Sequence, residues 1–194
     1  PKSQVFVGLE NVRFLLQDAE FRKALWNTAV YTFFSVLLQM PLALGLALLL
    51  NARFLRARDF FRLSFFSPNL VGQVFVAVLF GVIFLPQYGL LNRALHALLG
   101  LPRDLKWLQT PELVMPALVL TSLWMYVSFN MIYFLAALQS VDRELIDAAL
   151  VDGAGPWQRF LHVTLPAIRP VAIFILLIAT IGSFQLFELP YVML

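Results

Sequence analysis

A chain of 194 residues that is 61% hydrophobic and 13% charged, with a mean hydropathy of +0.82, has too little polar surface to cover a soluble core and falls in the membrane class. Its net charge of +3 is too small to argue for nucleic acid, and basic loops at a membrane surface account for it. With no cysteine, disulfides and thiolate metal sites are excluded, and His96 and His162 lie too far apart in sequence for a histidine metal centre to be expected.

In chain order, the opening PKSQVFVGLENV has neither an initiating Met nor the apolar core of a signal peptide, so the chain is expected to be a fragment or a protein trimmed at its N-terminus. Next comes GLENVRFLLQDAEFRKAL. Its apolar Leu9, Val12 and Leu16 are spaced for an amphipathic helix at the membrane interface. Asp, Glu, Lys, Arg and His are then missing from four long windows, 24–52, 63–92, 113–141 and 170–187. A helix needs about 20 apolar residues to cross a bilayer, and helices satisfy their own backbone in lipid. Spans are expected near 27–50, 63–85, 114–138 and 169–191, the last only if its helix continues past Glu188 through Tyr191. Residues 1–194 read as a single all-α transmembrane domain.

The connections carry the charge. Residues 51–62 hold Arg53, Arg56, Arg58 and Arg62; 86–112 contain a short helix, NRALHALLG, closed by Gly100 and Pro102. Lys and Arg divide evenly between the two sides, and only the arginine density of 51–62 favours the cytoplasm for that side. Ala43 with Ala47 and Ala77 with Gly81 are small pairs that let helices approach closely, and Pro41 and Pro68 are expected to kink theirs. Trp26, Trp107 and Tyr88 read as interface-belt aromatics.

The most informative stretch is LIDAALVDGAGPWQRFLHVTLPAIRP, residues 145–170, which is polar between two apolar runs. Ser140 or Asp142 is placed to cap a helix with Glu144 in its first turn. Gly153 supplies a left-handed ending, Gly155-Pro156 restarts a helix, and Leu165-Pro166 is expected to stop it. The result is two short helices with a bend over about 140–166, nearly bare at Ala148, Ala149 and Gly153. A bare helix can sit deep in a partner's groove; an interfacial loop without a partner is the plainer alternative.

DAALVDGAGPWQRFLHVTLP resembles the EAA motif of binding-protein-dependent ABC importer permeases. Asp147, Ala148, Ala149, Gly153, Val163, Leu165 and Pro166 keep its spacing, with Asp for the usual Glu at 147 and Val for Ile at 163. The resemblance extends through GLENVRFLLQDAEFRKALWNTAVYT, YGLLNRALHALLG and GSFQLFELPYVML to the sugar-transport branch of maltose, lactose and glycerol-3-phosphate type. It implies a MetI-like helical bundle in the bacterial or archaeal cytoplasmic (inner) membrane, with the family's first and last spans missing from this stretch. It implies that the EAA-like loop is cytoplasmic and docks on an ATPase subunit. The implied partners are the ATPase subunits, a second permease, commonly different in sequence, an extracytoplasmic solute-binding protein and membrane lipid, with no nucleic acid. ATP and magnesium would be bound by the ATPase: this chain has no phosphate-binding Gly-Lys motif and is not expected to be an enzyme.

For the solute path, helix geometry puts Ser122, Tyr126, Phe129, Asn130 and Tyr133 on one face of the third span. In the fourth, Thr180, Ser183, Phe184, Phe187, Glu188 and Tyr191 share a face. Aromatics with hydrogen-bonding groups suit a sugar, and Glu188 is an ionisable group at the edge of an apolar run. The same stripes are also what polar and aromatic packing between helices looks like. Charge-free windows argue against an ion-coupled secondary transporter, and spans without His argue against an intramembrane enzyme. A non-transporting scaffold is countered only by the motif and the wider resemblance.

Overall fold

The computed structural model describes residues 8–52, 60, 65 and 67–194, and among these every regular element is helical. Helix α1 (Glu10–Gln17) is short and exposed. Asp18 then caps α2 (Ala19–Asn51), its carboxylate accepting the Glu20 N–H at 2.8 Å. The charged Glu20, Arg22 and Lys23 are exposed on turns that precede the apolar stretch, so α2 starts earlier than the expected 27. Pro41 lies inside α2, which continues unbroken through it.

The expected span at 63–85 is not one helix. Its described part is a 3-10 turn (Ser67–Leu70), a break at Val71 and Gly72, and then α3 (Gln73–Ile83). Pro68 has no N–H for an α-helical ladder, and Gly72 is extended at φ −62°, ψ 147°. Arg53, Arg56, Arg58 and Arg62 lie outside the described residues. Among the described residues, three helical stretches are long and apolar enough to cross a membrane: α2, α5 (Pro111–Gln139) and the run Pro156–Phe184; α3 is apolar but shorter.

Between α3 and α5, α4 (Leu90–Leu99) ends at Gly100 as its sequence anticipates, with φ +68°. This connection folds on itself. Asn92, fully buried, donates to the Leu105 carbonyl at 2.9 Å and accepts the Trp107 indole N–H at 2.7 Å, while Phe84 stacks on Trp107. Trp107 is thus a core residue and not an interface aromatic, because its polar handle is satisfied inside the protein. Trp26 and Tyr88 are exposed.

Helix α5 is the spine. Within its apolar window 61% is buried, against 33% for α2 and 11% for Pro156–Phe184. Two apolar clusters stack along it. One gathers Val76, Phe80, Trp107, Leu118 and Leu189; the other Ala43, Ala47, Met131, Phe134 and Ile175. Ala43 and Ala47 are fully buried, as expected of a small-residue contact. Ala77 is also buried in the core, whereas a methyl at Gly81 would meet nothing within 4 Å among the described residues.

Helix α6 (Arg143–Val151) leads to α7 (Pro156–Arg159), a π turn (Phe160–Thr164) and α8 (Leu165–Phe184). Leu165-Pro166 does not end the helix as expected. The wider π register upstream, in which the Leu165 N–H reaches the Phe160 carbonyl, makes room for a proline that cannot donate. The run also does not reach Tyr191. It stops at Phe184, unwinds over Gln185 to Phe187, and restarts as α9 (Glu188–Met193), which packs Leu189 and Met193 into the core beside α3.

Candidate functional site

Two sites emerge, one at each end of the Pro156–Phe184 run. The first is the helical hairpin at 142–166. Asp142 is the N-cap, accepting the Glu144 N–H at 2.9 Å. The end of α6 is a Schellman arrangement: the Gly153 N–H donates to the Leu150 carbonyl and the Ala154 N–H to the Ala149 carbonyl, with Gly153 at φ +81°. A residue with a Cβ is strained there, although the space beside Gly153 is open. Gln158 then reaches back to accept the Gly155 N–H at 2.8 Å, and Trp157 stacks on Phe160.

This hairpin buries none of α6 fully. Asp147 and Ala148 are exposed, Ala149 is half-buried towards α7, and Gly153 is exposed. Val163 is half-buried in the π turn, Leu165 packs on the lower apolar cluster, and Pro166 is exposed. The surface is less bare than its alanines suggest: Leu145, Val151 and Trp157 also project outward. Asp147 lines a cleft of about 640 Å³ with Arg143 and Arg159, beside Asn51 and Gln139 at the ends of α2 and α5. Arg159 Nε is buried with no hydrogen-bond partner among the described residues.

The second site is a cavity of about 460 Å³ between α2, α3, α5, the upper part of α8 and α9. Of the residues proposed from sequence, Tyr126, Asn130, Ser183, Phe187 and Glu188 line it, as does Phe129. Tyr133 and Phe184 do not. Tyr133 packs against Phe129 and, at 6.0 Å, against Phe174 outside the cavity, and Phe184 is 50% exposed. The unwound Gln185–Phe187 segment is why Phe184 lies outside this cavity: it breaks the helical phase, turning 185–188 to the space while Phe184 faces away. Ser122 is fully buried against Ser35, 3.4 Å away, and Thr180 bonds the Leu176 carbonyl of its own helix, so neither belongs to the lining. Tyr191 stacks on Phe187 and is exposed.

The lining also includes polar residues that the sequence reading does not single out, Tyr31, Gln39, Gln73 and Gln185. Asn130 donates to the Gln39 carbonyl oxygen at 3.3 Å, and Gln73 donates to the Tyr126 hydroxyl. Tyr31, Ser35 and Gln39 recur every four residues in an otherwise apolar window, and the stripe continues through Ala43 and Ala47. That spacing was the available signal. Among the described residues, the cavity therefore offers aromatic faces from Tyr126, Phe129 and Phe187, amides from Gln39, Gln73, Asn130 and Gln185, and one carboxylate, Glu188. Rings with amides between them match a ligand of apolar faces and hydroxyl edges.

Comparison with known proteins gives a consistent picture. The chain is 36% identical over 193 residues to the arabinooligosaccharides transport system permease protein AraP of Bacillus subtilis (strain 168), covering 100% of this chain and 61% of AraP. It is 34% identical over 186 residues to the lactose transport system permease protein LacF of Rhizobium radiobacter, covering 96% of this chain and 62% of LacF. The chain thus spans about three fifths of the length of these relatives. It superposes with a TM-score of 0.82 and 27% identity on a crystal structure of a bacterial ABC transporter involved in the import of the acidic polysaccharide alginate, covering 98% of this chain and 70% of that one. Residues 19–194 match the model of the binding-protein-dependent transport system inner membrane component family, and the chain belongs to that family.

Proposed function

We propose that this chain is part of the permease subunit of an ATP-driven, binding-protein-dependent sugar importer in the cytoplasmic membrane. In this reading the 142–166 hairpin, with Asp147, Ala148, Ala149 and Gly153 on α6, faces the cytoplasm and docks on an ATPase subunit. The cavity of Tyr126, Asn130, Ser183, Phe187 and Glu188 forms part of the solute path. A second permease completes that path, and a solute-binding protein delivers to it from the other side.

The observation that carries the proposal is the continuity of the Pro156–Phe184 run. One helical rod of 29 residues starts inside the hairpin and ends with Gly182 and Ser183 at the cavity. Its apolar length packs loosely against the rest of the chain, with 11% of its window buried. A displacement of α7 would be passed to the cavity wall along a helix that stays continuous through the π turn and Pro166. Nucleotide in the ATPase must favour one state of this rod over the other, since an effector shifts an equilibrium only by its differential affinity. The relatives' names include neutral oligosaccharides and an acidic polysaccharide, so they support a saccharide cargo without fixing its charge.

The test is co-purification and energetics with the full-length permease. A tagged permease is expected to bring down an ATPase, and uptake is expected to stop on ATP depletion and persist with a proton uncoupler. Uptake that follows the uncoupler, with no ATPase retained, would establish an ion-coupled transporter and end this reading.

A further inference from the structure

From the charge inventory of the cavity we infer that the solute path through this chain is selective for neutral, hydroxyl-rich saccharides and rejects uronate or phosphate sugars. The inference rests on the reading of the cavity as part of that path.

Among the described lining residues, Glu188 is charged and no Lys, Arg or His faces the space. The remaining polar groups are the amides of Gln39, Gln73, Asn130 and Gln185 and the hydroxyls of Tyr31, Tyr126 and Ser183. A carboxylate or phosphate brought here would meet aromatic and aliphatic side chains, and the described lining of this chain offers it no counter-charge to replace its hydration. It would also meet the Glu188 carboxylate, which repels it at the exposed edge of the space.

A sugar hydroxyl meets the opposite situation. Glu188 only accepts hydrogen bonds, and a hydroxyl can donate to it, whereas an ionised acid cannot. Two hydrogen-bonded pairs, Gln39 with Asn130 and Gln73 with Tyr126, line the space without bringing any charge to it. Glu188 also sits at the first turn of α9, directly after the unwound 185–187 segment. The break in the helix is what turns its carboxylate towards the lining.

The test is binding to the full-length importer complex in nanodiscs, without binding protein, using arabinotriose and trigalacturonate as matched neutral and acidic probes. Wild type is expected to bind arabinotriose and to bind trigalacturonate at least about tenfold more weakly. That gap is expected to shrink with added salt, because Glu188 is exposed enough to be screened. Glu188→Gln is expected to narrow the gap, and Glu188→Arg to reverse it; the isosteric Gln variant keeps the test valid should the Arg variant fail to assemble. Equal binding of the two probes by wild type, or a gap unchanged in Glu188→Gln, overturns the charge selectivity while leaving the importer reading intact. Failure of both probes to bind any variant, in a complex whose ATPase still assembles, overturns the cavity as a solute path.

Discussion

The hairpin at 142–166 and the cavity above it are built on opposite principles. Every hydrogen bond that shapes the hairpin joins residues at most five apart in sequence, from Asp142 with Glu144 to Ala149 with Ala154. The cavity joins residues as distant as Tyr31 and Glu188, and its polar pairs bridge Gln39 to Asn130 and Gln73 to Tyr126. A local device is specified by a few residue types at fixed offsets. A non-local one depends on how five helices register against each other. The two differ accordingly in how they should respond to substitution.

The largest effect is expected at Gly153. Leucine there must adopt a left-handed backbone at a cost of about 1–2 kcal/mol, or abandon the Schellman ending of α6. Gly153→Leu is expected to leave the full-length permease in the membrane while lowering co-purified ATPase by more than about tenfold. Gly153→Asn separates backbone from bulk, because Asn tolerates the left-handed region. If the asparagine variant retains the ATPase, conformation is what matters; if both variants assemble and transport normally, the hairpin is not the docking element.

The second prediction concerns a non-local pair. Asn130→Leu strands the Gln39 amide between helices, and is expected to lower the stability of the detergent-solubilised protein by about 1–2 kcal/mol. Adding Gln39→Leu removes the stranded group and is expected to restore the thermal midpoint while solute uptake stays impaired. Recovery of uptake together with stability would mean that the pair is only packing, and the contrast between the two sites would lose half its force.

This difference also governs what could be read from the chain before any coordinates. Asp142, Gly153, Gly155-Pro156 and Gly100 act within one helical turn, and their positions were legible. The break over Gln185 to Phe187 was not, because the unwound residues include neither Gly nor Pro, and the packing of Leu189 and Met193 beside α3 supplies the competing term. Pro166 misled in the other direction. Read alone it stops a helix, but a π turn upstream absorbs it. Trp107 shows the same limit. Nothing near it in sequence announces that Asn92 will be buried to receive its indole N–H.

The smallest effect is expected at Asp142, and it isolates the local device most cleanly. Its carboxylate satisfies the otherwise free Glu144 N–H and also sits at the positive end of α6, so Asp142→Ala removes both contributions. The cost is expected to be about 1 kcal/mol, confined to the first turn of α6. Asp142→Ser keeps the acceptor without the charge and should recover most of that loss. Hydrogen exchange at residues 144–147 is the appropriate measure: protection should fall in the alanine variant, return in the serine variant, and stay unchanged along Pro156–Phe184. Loss of protection spreading up that run would show that the hairpin and the run unfold together as one cooperative unit.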